Sequence, residues 1–225
     1  MGRVFVTGDT VPGQLYRIDP SQVAGAVETV ASNLGTSPIG IAFDGSRIWT
    51  ANASSVSIVT PGATIPWTVT TVTPGFVGLR GALYDGANVW VTDSSAGTLL
   101  KLNGTGAILQ TVTVGSNPWF PVFDGTSIWV PNNGSNSISV VRASSGAVLA
   151  TLTGNGLSGP AAAAFDGQRV LATNFNGNSV SLWKAADLTS AGSFATGAIT
   201  FPEGACSDGV NFWIVLDGAL KLARF

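Results

Sequence analysis

PIGIAFDGSRIWTAN, residues 38–52, holds a run of small and apolar residues, an Asp-Gly pair, and a second apolar run carrying a tryptophan. The arrangement returns without gaps as LRGALYDGANVWVTD (79–93), PWFPVFDGTSIWVPN (118–132), PAAAAFDGQRVLATN (160–174) and PEGACSDGVNFWIVL (202–216). The turn aspartates are Asp44, Asp85, Asp124, Asp166 and Asp208, spaced by 41, 39, 42 and 42 residues. A period of about forty residues suits a four-stranded propeller blade, whereas solenoid repeats of that length are helical. No helical periodicity runs through the chain, and Gly and β-branched residues recur every few positions.

Each repeat reads as four short antiparallel strands. The first is Gly/Ala-rich and ends in Asp-Gly, a dipeptide expected to form a type I′ hairpin with both central residues at positive φ. The second carries the tryptophan and ends at Asn52, Asp93, Asn132 or Asn174. A third strand such as 137–141 and a fourth such as 148–152 close the blade. Small residues in the first strand fit the crowded centre of a ring, with Trp49, Trp90, Trp129 and Trp213 packing between blades. Residues 3–7 match a second strand and residues 220–225 a third. The expected fold is therefore all-β, one β-propeller domain over residues 1–225. It has six blades, the first lacking its innermost strand and the last its outermost; five blades with a displaced terminal hairpin, or seven, are the alternatives. Such ends are expected of a piece of a larger propeller, or of an oligomer that shares strands.

Charged residues make up only 10% of the chain, apolar residues 45%, and the net charge is −2. That is the reverse of a disordered composition. Three Lys and seven Arg, scattered, provide no basic cluster for nucleic acid or an anionic membrane. No apolar run approaches the roughly 20 residues of a membrane span. The single cysteine, Cys206, excludes an internal disulfide framework, and its place on a first strand predicts a buried small hydrophobe. No leader precedes the first strand, so the chain reads as cytoplasmic or as a mature exported domain. Its Lys-poor, Thr/Ser/Asn-rich composition favours the second, periplasmic or extracellular in a bacterium.

The run "strand, Asn/Asp, polar loop, hydrophobic strand", best carried by WTANASSVSIV, WVPNNGSNSISVV and LATNFNGNSVSLW, resembles the YVTN-type bacterial propeller repeat. The Pro-x-Gly-x-Ala-x-Asp-Gly portion is similar to NHL repeats and to the virginiamycin B lyase group. The resemblance covers nearly the whole chain and implies a fold, not an activity. Lyases of that group use a histidine base, and this sequence has no histidine.

The five turn aspartates read as turn formers that bond local backbone N–H groups. The position five residues earlier varies most in chemistry: Ile39, Arg80, Trp119, Ala161 and Glu203. These are expected to face the channel mouth, where Arg80, Trp119, Phe120 and Glu203, with Asn132 and Asn174, would bind a small polar ligand or a partner protein. An Arg–Glu pair plugging the channel is the bland alternative. Glu203, Asp93, Asp217 and Asn52 offer oxygen ligands suited to Ca²⁺ or Mg²⁺. Gluconolactonase- and paraoxonase-type propellers are similar in architecture and ligand type. That likeness implies a metal-dependent hydrolase of lactones, esters or phosphotriesters, with Glu203 as ligand or base and Arg80 stabilising an oxyanion. Ser-His-Asp catalysis is impossible without histidine, and no phosphate-binding Gly-rich loop is present.

Overall fold

The structure, a computed structural model, describes residues 2–225. It contains six antiparallel sheets, the blades of a six-bladed β-propeller. Blade 1 has three strands: Val4–Gly8, Gly13–Ile18 and Val27–Leu34. Blades 2 to 5 have four strands each. Blade 6 has three: Pro202–Ser207, Phe212–Leu216 and Lys221–Arg224. The strand count is the one read from the repeat. The chain divides into two compact units, Met1–Asp93 with Leu100–Leu109, and Ser94–Leu99 with Gln110–Phe225.

Side chains alternate between the two faces of a strand, and here both faces are covered. In Ile48–Asn52, Ile48 packs with Leu15, Val30 and Leu34 of blade 1. Trp49 and Ala51 turn the other way, onto Leu79, Val89 and Val91 of blade 3. All five residues are buried. In the second unit Trp129 and Val140 meet Ala163, Val170 and Trp183 across blades 4 and 5, and Leu171 and Leu182 meet Phe212 and Ile214 across blades 5 and 6. This explains why the second and third strands read as apolar runs.

The Asp-Gly turn differs from the type I′ expectation. The Asp44 N–H donates to the Arg47 carbonyl at 3.1 Å, so Asp44 opens the turn and Gly45 and Ser46 are its central pair. Only Gly45 has positive φ, +95°; Ser46 does not. One positive φ, at the first central position, is the type II′ pattern. Gly86, Gly125, Gly167 and Gly209 repeat it. The aspartate is excluded from the central pair because its carboxylate caps the turn from outside. Asp44 Oδ1 accepts from the N–H groups of Ser46 (2.9 Å) and Arg47 (2.7 Å).

The second carboxylate oxygen reaches the tryptophan five residues on. Trp49 Nε1 donates to Asp44 Oδ2 at 2.7 Å, Trp90 to Asp85 at 2.7 Å, Trp129 to Asp124 at 2.7 Å and Trp213 to Asp208 at 2.8 Å. In blade 5, where Leu171 replaces the tryptophan, Arg169 Nε takes its place on Asp166 Oδ2 at 2.8 Å. These carboxylates are fully engaged in holding hairpins.

Blade 4 departs from the pattern. In blades 3 and 5 the first strand bulges, and a threonine hydroxyl accepts the displaced N–H: Thr92 from Gly81 (2.8 Å), Thr173 from Ala162 (2.9 Å). Pro131 stands at that position in blade 4 and has no hydroxyl. The Phe120 N–H instead donates to the Ala161 carbonyl of blade 5 at 3.0 Å, and Phe120 accepts from the Ala163 N–H at 3.1 Å. The paired first strand shrinks to Val122–Phe123, leaving Trp119 and Phe120 outside it.

Cys206 is exposed, not buried as its alignment suggested. Ala42 and Ala164 at the same position are covered by the next blade in the chain, whereas in blade 6 none of residues 203–207 is fully buried.

Asp44→Ala leaves the buried Trp49 indole N–H unsatisfied and should destabilise the fold by about 1–3 kcal/mol in denaturant unfolding. Acid should act through the same groups. In Asp44 and Asp166 burial, which raises the pKa, is outweighed by the hydrogen bonds just described; in Asp208 the Asn211 N–H and the Trp213 indole lower it. Folded pKa values below the unfolded ~4 mean this stabilisation is complete above pH ~4 and is lost as pH falls towards the folded values. The melting temperature should therefore show no loss from these groups between pH 7 and ~5, and should drop below ~4.

Candidate functional site

Asn52, Asn132 and Asn174 are fully buried, and they are clamps within the blade. Each donates its amide N–H groups to two serine hydroxyls of the third strand: Asn52 to Ser55 and Ser57, Asn132 to Ser137 and Ser139, Asn174 to Ser179 and Ser181, all at 2.8–3.1 Å. The carbonyl oxygen of Asn132 accepts from the Gly115 N–H, and that of Asn52 from the Thr50 hydroxyl. Asp93, 1% exposed, accepts from the N–H groups of Val77 (2.8 Å) and Gly78 (3.1 Å). Asp217 is exposed on the short 3-10 turn Asp217–Ala219. Glu203 is half-buried on Pro202–Ser207, its carbonyl accepting from the Thr173 hydroxyl. Among the described residues no three of His, Cys, Asp and Glu converge as a metal site would require. Arg80 is half-buried in the first unit; Trp119, Phe120 and Glu203 belong to the second.

Within the second unit the structure brings together a group of aromatics that the repeat alignment did not. Trp119 lies 6.2 Å from Phe120 in an edge-on contact and 6.2 Å from Phe175, whose ring stacks on Phe201 at 5.2 Å. All four are half-buried, so a continuous aromatic surface crosses blades 4, 5 and 6. It lies where first strands begin and second strands end, the rim opposite the Asp-Gly turns. Amides border it: the Trp119 indole N–H donates to Asn117 Oδ1 at 3.1 Å, and the Asn117 amide donates to Asn133 Oδ1 at 3.4 Å.

The row comes from three different repeat positions. Trp119 stands five residues before its turn aspartate, Phe201 seven before, and Phe175 directly follows the strand-ending Asn174. Alignment of equivalent positions therefore finds only Trp119. A signal for Phe201 lies in the backbone. Seven residues before the turn aspartate the repeat has Ser37, Gly78, Asn117, Gly159 and Phe201, and the φ values of Ser37, Asn117, Gly159 and Phe201 are +51°, +52°, +59° and +42°. Asn and Gly tolerate that left-handed conformation; a phenylalanine there is strained.

The surroundings force it. Asn178 Oδ1 accepts from the N–H groups of Thr200 (2.7 Å) and Phe201 (3.0 Å), and the Gly218 N–H donates to the Thr200 carbonyl at 3.1 Å. Gly218 is needed for this approach, since a Cβ there would strike the Ile199 carbonyl and the Phe201 ring. Ile199, a β-branched residue, is also at positive φ, +56°. Residues 199–201 thus spend backbone strain to hold a phenylalanine against Phe175.

Phe201→Gly tests whether that ring serves the fold. Removing a buried, structural Phe costs about 3–5 kcal/mol. Here relief of left-handed strain offsets the lost contacts, so the variant should unfold within ~1 kcal/mol of the parent chain in denaturant titration.

No family model matches the chain, and no curated protein matches it. Solved structures do. The chain is similar to a catalytically inactive virginiamycin B lyase from Staphylococcus aureus with quinupristin, at 16% identity and TM-score 0.80, covering 99% of this chain and 76% of that one. A putative 6-phosphogluconolactonase from Bacteroides uniformis matches at 15% identity and TM-score 0.79, with the same coverage of 99% and 76%. A functionally unknown protein from Desulfotomaculum acetoxidans matches at 19% identity and TM-score 0.76, covering 99% and 78%. At these identities the likeness establishes the fold, a β-propeller with lyase- and lactonase-type neighbours.

Proposed function

We propose that this chain is a non-catalytic binding module that takes a neutral glycan on the aromatic surface formed by Trp119, Phe175 and Phe201. The observation that carries the reading is strain: Phe201 occupies a left-handed position that the other repeats fill with Ser, Gly or Asn, and its ring extends the row. Strained backbone that its surroundings over-determine clusters at binding and active sites. Half-buried aromatic rings match the apolar C–H faces of sugar rings, and the flanking Asn117 and Asn133 amides match their hydroxyls. Glu203, two residues beyond Phe201, supplies an acceptor for a further hydroxyl. The low charge of the chain favours a neutral ligand over an anionic one.

A hydrolase reading has less to draw on. The turn carboxylates are bonded to indoles and backbone, Asp93 is buried in its loop, and no histidine is available as a base.

Titration with a panel of neutral oligosaccharides, followed by indole fluorescence and calorimetry, tests the proposal. Binding should weaken at least tenfold in Trp119→Ala and in Phe201→Gly, the second without loss of stability. Glu203→Ala, run in parallel, separates the contribution of the acceptor from that of the aromatic row. A panel of lactones and phosphotriesters, with and without EDTA, provides the opposing test. Turnover that EDTA abolishes and Glu203→Ala removes would replace binding with metal-dependent hydrolysis.

A further inference from the structure

A second strained residue marks a second site, on the opposite rim. The turn between third and fourth strands is closed by Asn103 N–H to Ala107 carbonyl in blade 3, Arg142 to Ala147 in blade 4 and Lys184 to Thr189 in blade 5. The residue before each closing carbonyl is left-handed: Gly106 at +84°, Gly146 at +71°, and Leu188 at +62°. Two blades use glycine, as that conformation asks; blade 5 uses a leucine.

The Leu188 side chain lines a groove of about 780 Å³ between blades 4 and 5, inside the second unit. That is the size of a small-molecule site. Val140, Leu149, Phe165 and Leu188 form its apolar wall, and Arg142 stands at its edge.

Charge selects the occupant. Arg142 and Val140 are two residues apart on one strand, so both face blade 5. Among the described residues no ion pair involves Arg142. The lining carboxylate, Asp124, is saturated by the Thr126 and Ser127 N–H groups and the Trp129 indole. Arg169, the neighbouring guanidinium, is held by Asp166, and Asp187 by Thr189. Arg142 and Lys184 are thus the lining cations that no ion pair among the described residues engages, set beside a wall of aliphatic and aromatic carbon. We infer that this groove binds an amphipathic monoanion, a carboxylate with an aliphatic tail, its head on the Arg142 guanidinium and its tail along Leu188 and Phe165. Arginine pairs with carboxylates through two parallel hydrogen bonds, and the tail removes the apolar wall from water.

Calorimetric titration with sodium octanoate and with 1-octanol, both below aggregation, tests this directly. Octanoate should bind, and octanol should bind at least tenfold more weakly, because it lacks the charge-assisted pair. Arg142→Gln should weaken octanoate at least fivefold, Arg142→Gln with Lys184→Gln should bring it down to the level of octanol, and neither should change octanol; both residues are exposed, so the variants should keep the parent melting temperature. Leu188→Gly, which restores the residue type of the other blades, should weaken both ligands roughly tenfold while the fold is retained. Failure of octanoate to bind, equal binding of octanoate and octanol, or octanoate binding indifferent to Arg142→Gln would each overturn the inference.

Discussion

The structure depends on a hydrogen bond between a turn aspartate and the tryptophan five residues later. One oxygen caps the turn and the other receives the buried indole N–H, so a single carboxylate fixes both the reversal of the chain and the depth of the largest side chain in the blade. Indoles are large enough to fill the space between sheets, yet each brings a donor that cannot be left unmatched in an apolar interior. Placing the acceptor at the mouth of the same hairpin resolves that conflict within six residues. Blade 5 shows that the acceptor's needs can be met otherwise: Leu171 carries no donor, and Arg169 supplies one.

Much of this was legible in the sequence because it is local and repeated. Asp-Gly at a period near forty gave the hairpins, the strand-ending Asn or Asp gave the opposite loops, and the partial repeats at either end gave the strand count. The turn type is not legible there, because the dipeptide alone does not say whether Asp is central or flanking. Side-chain bonding to the following N–H groups decides that. Cys206 escapes for a related reason: alignment reports what a position faces in an average blade, and the first strand of blade 6 is less covered than the others.

The candidate site was legible only where it coincides with the repeat. Trp119 stood out among its equivalents; Phe175 and Phe201 did not, since each occupies a different position of its own blade. Blade 4's shortened first strand was legible only in hindsight, through Pro131: without a threonine hydroxyl, Phe120 turns to the neighbouring blade for its hydrogen bond. What makes the rest detectable is backbone geometry. Left-handed positions that most blades fill with Ser, Asn or Gly are neutral, but a Phe or Leu at the same place is held there against its own preference. Phe201 and Leu188 are such residues, one on each rim.

The Asp–Trp bond also bears on how such a chain could have grown. Its two partners lie within one hairpin, so a duplicated segment of about forty residues brings its own turn cap, indole and acceptor and borrows none from its neighbours. Copying or deleting a segment leaves the hairpin chemistry of every other blade intact, while the loops between strands remain free to diverge. A scaffold assembled this way can change the chemistry of one loop at a time, and the departures from the repeat record where it has done so.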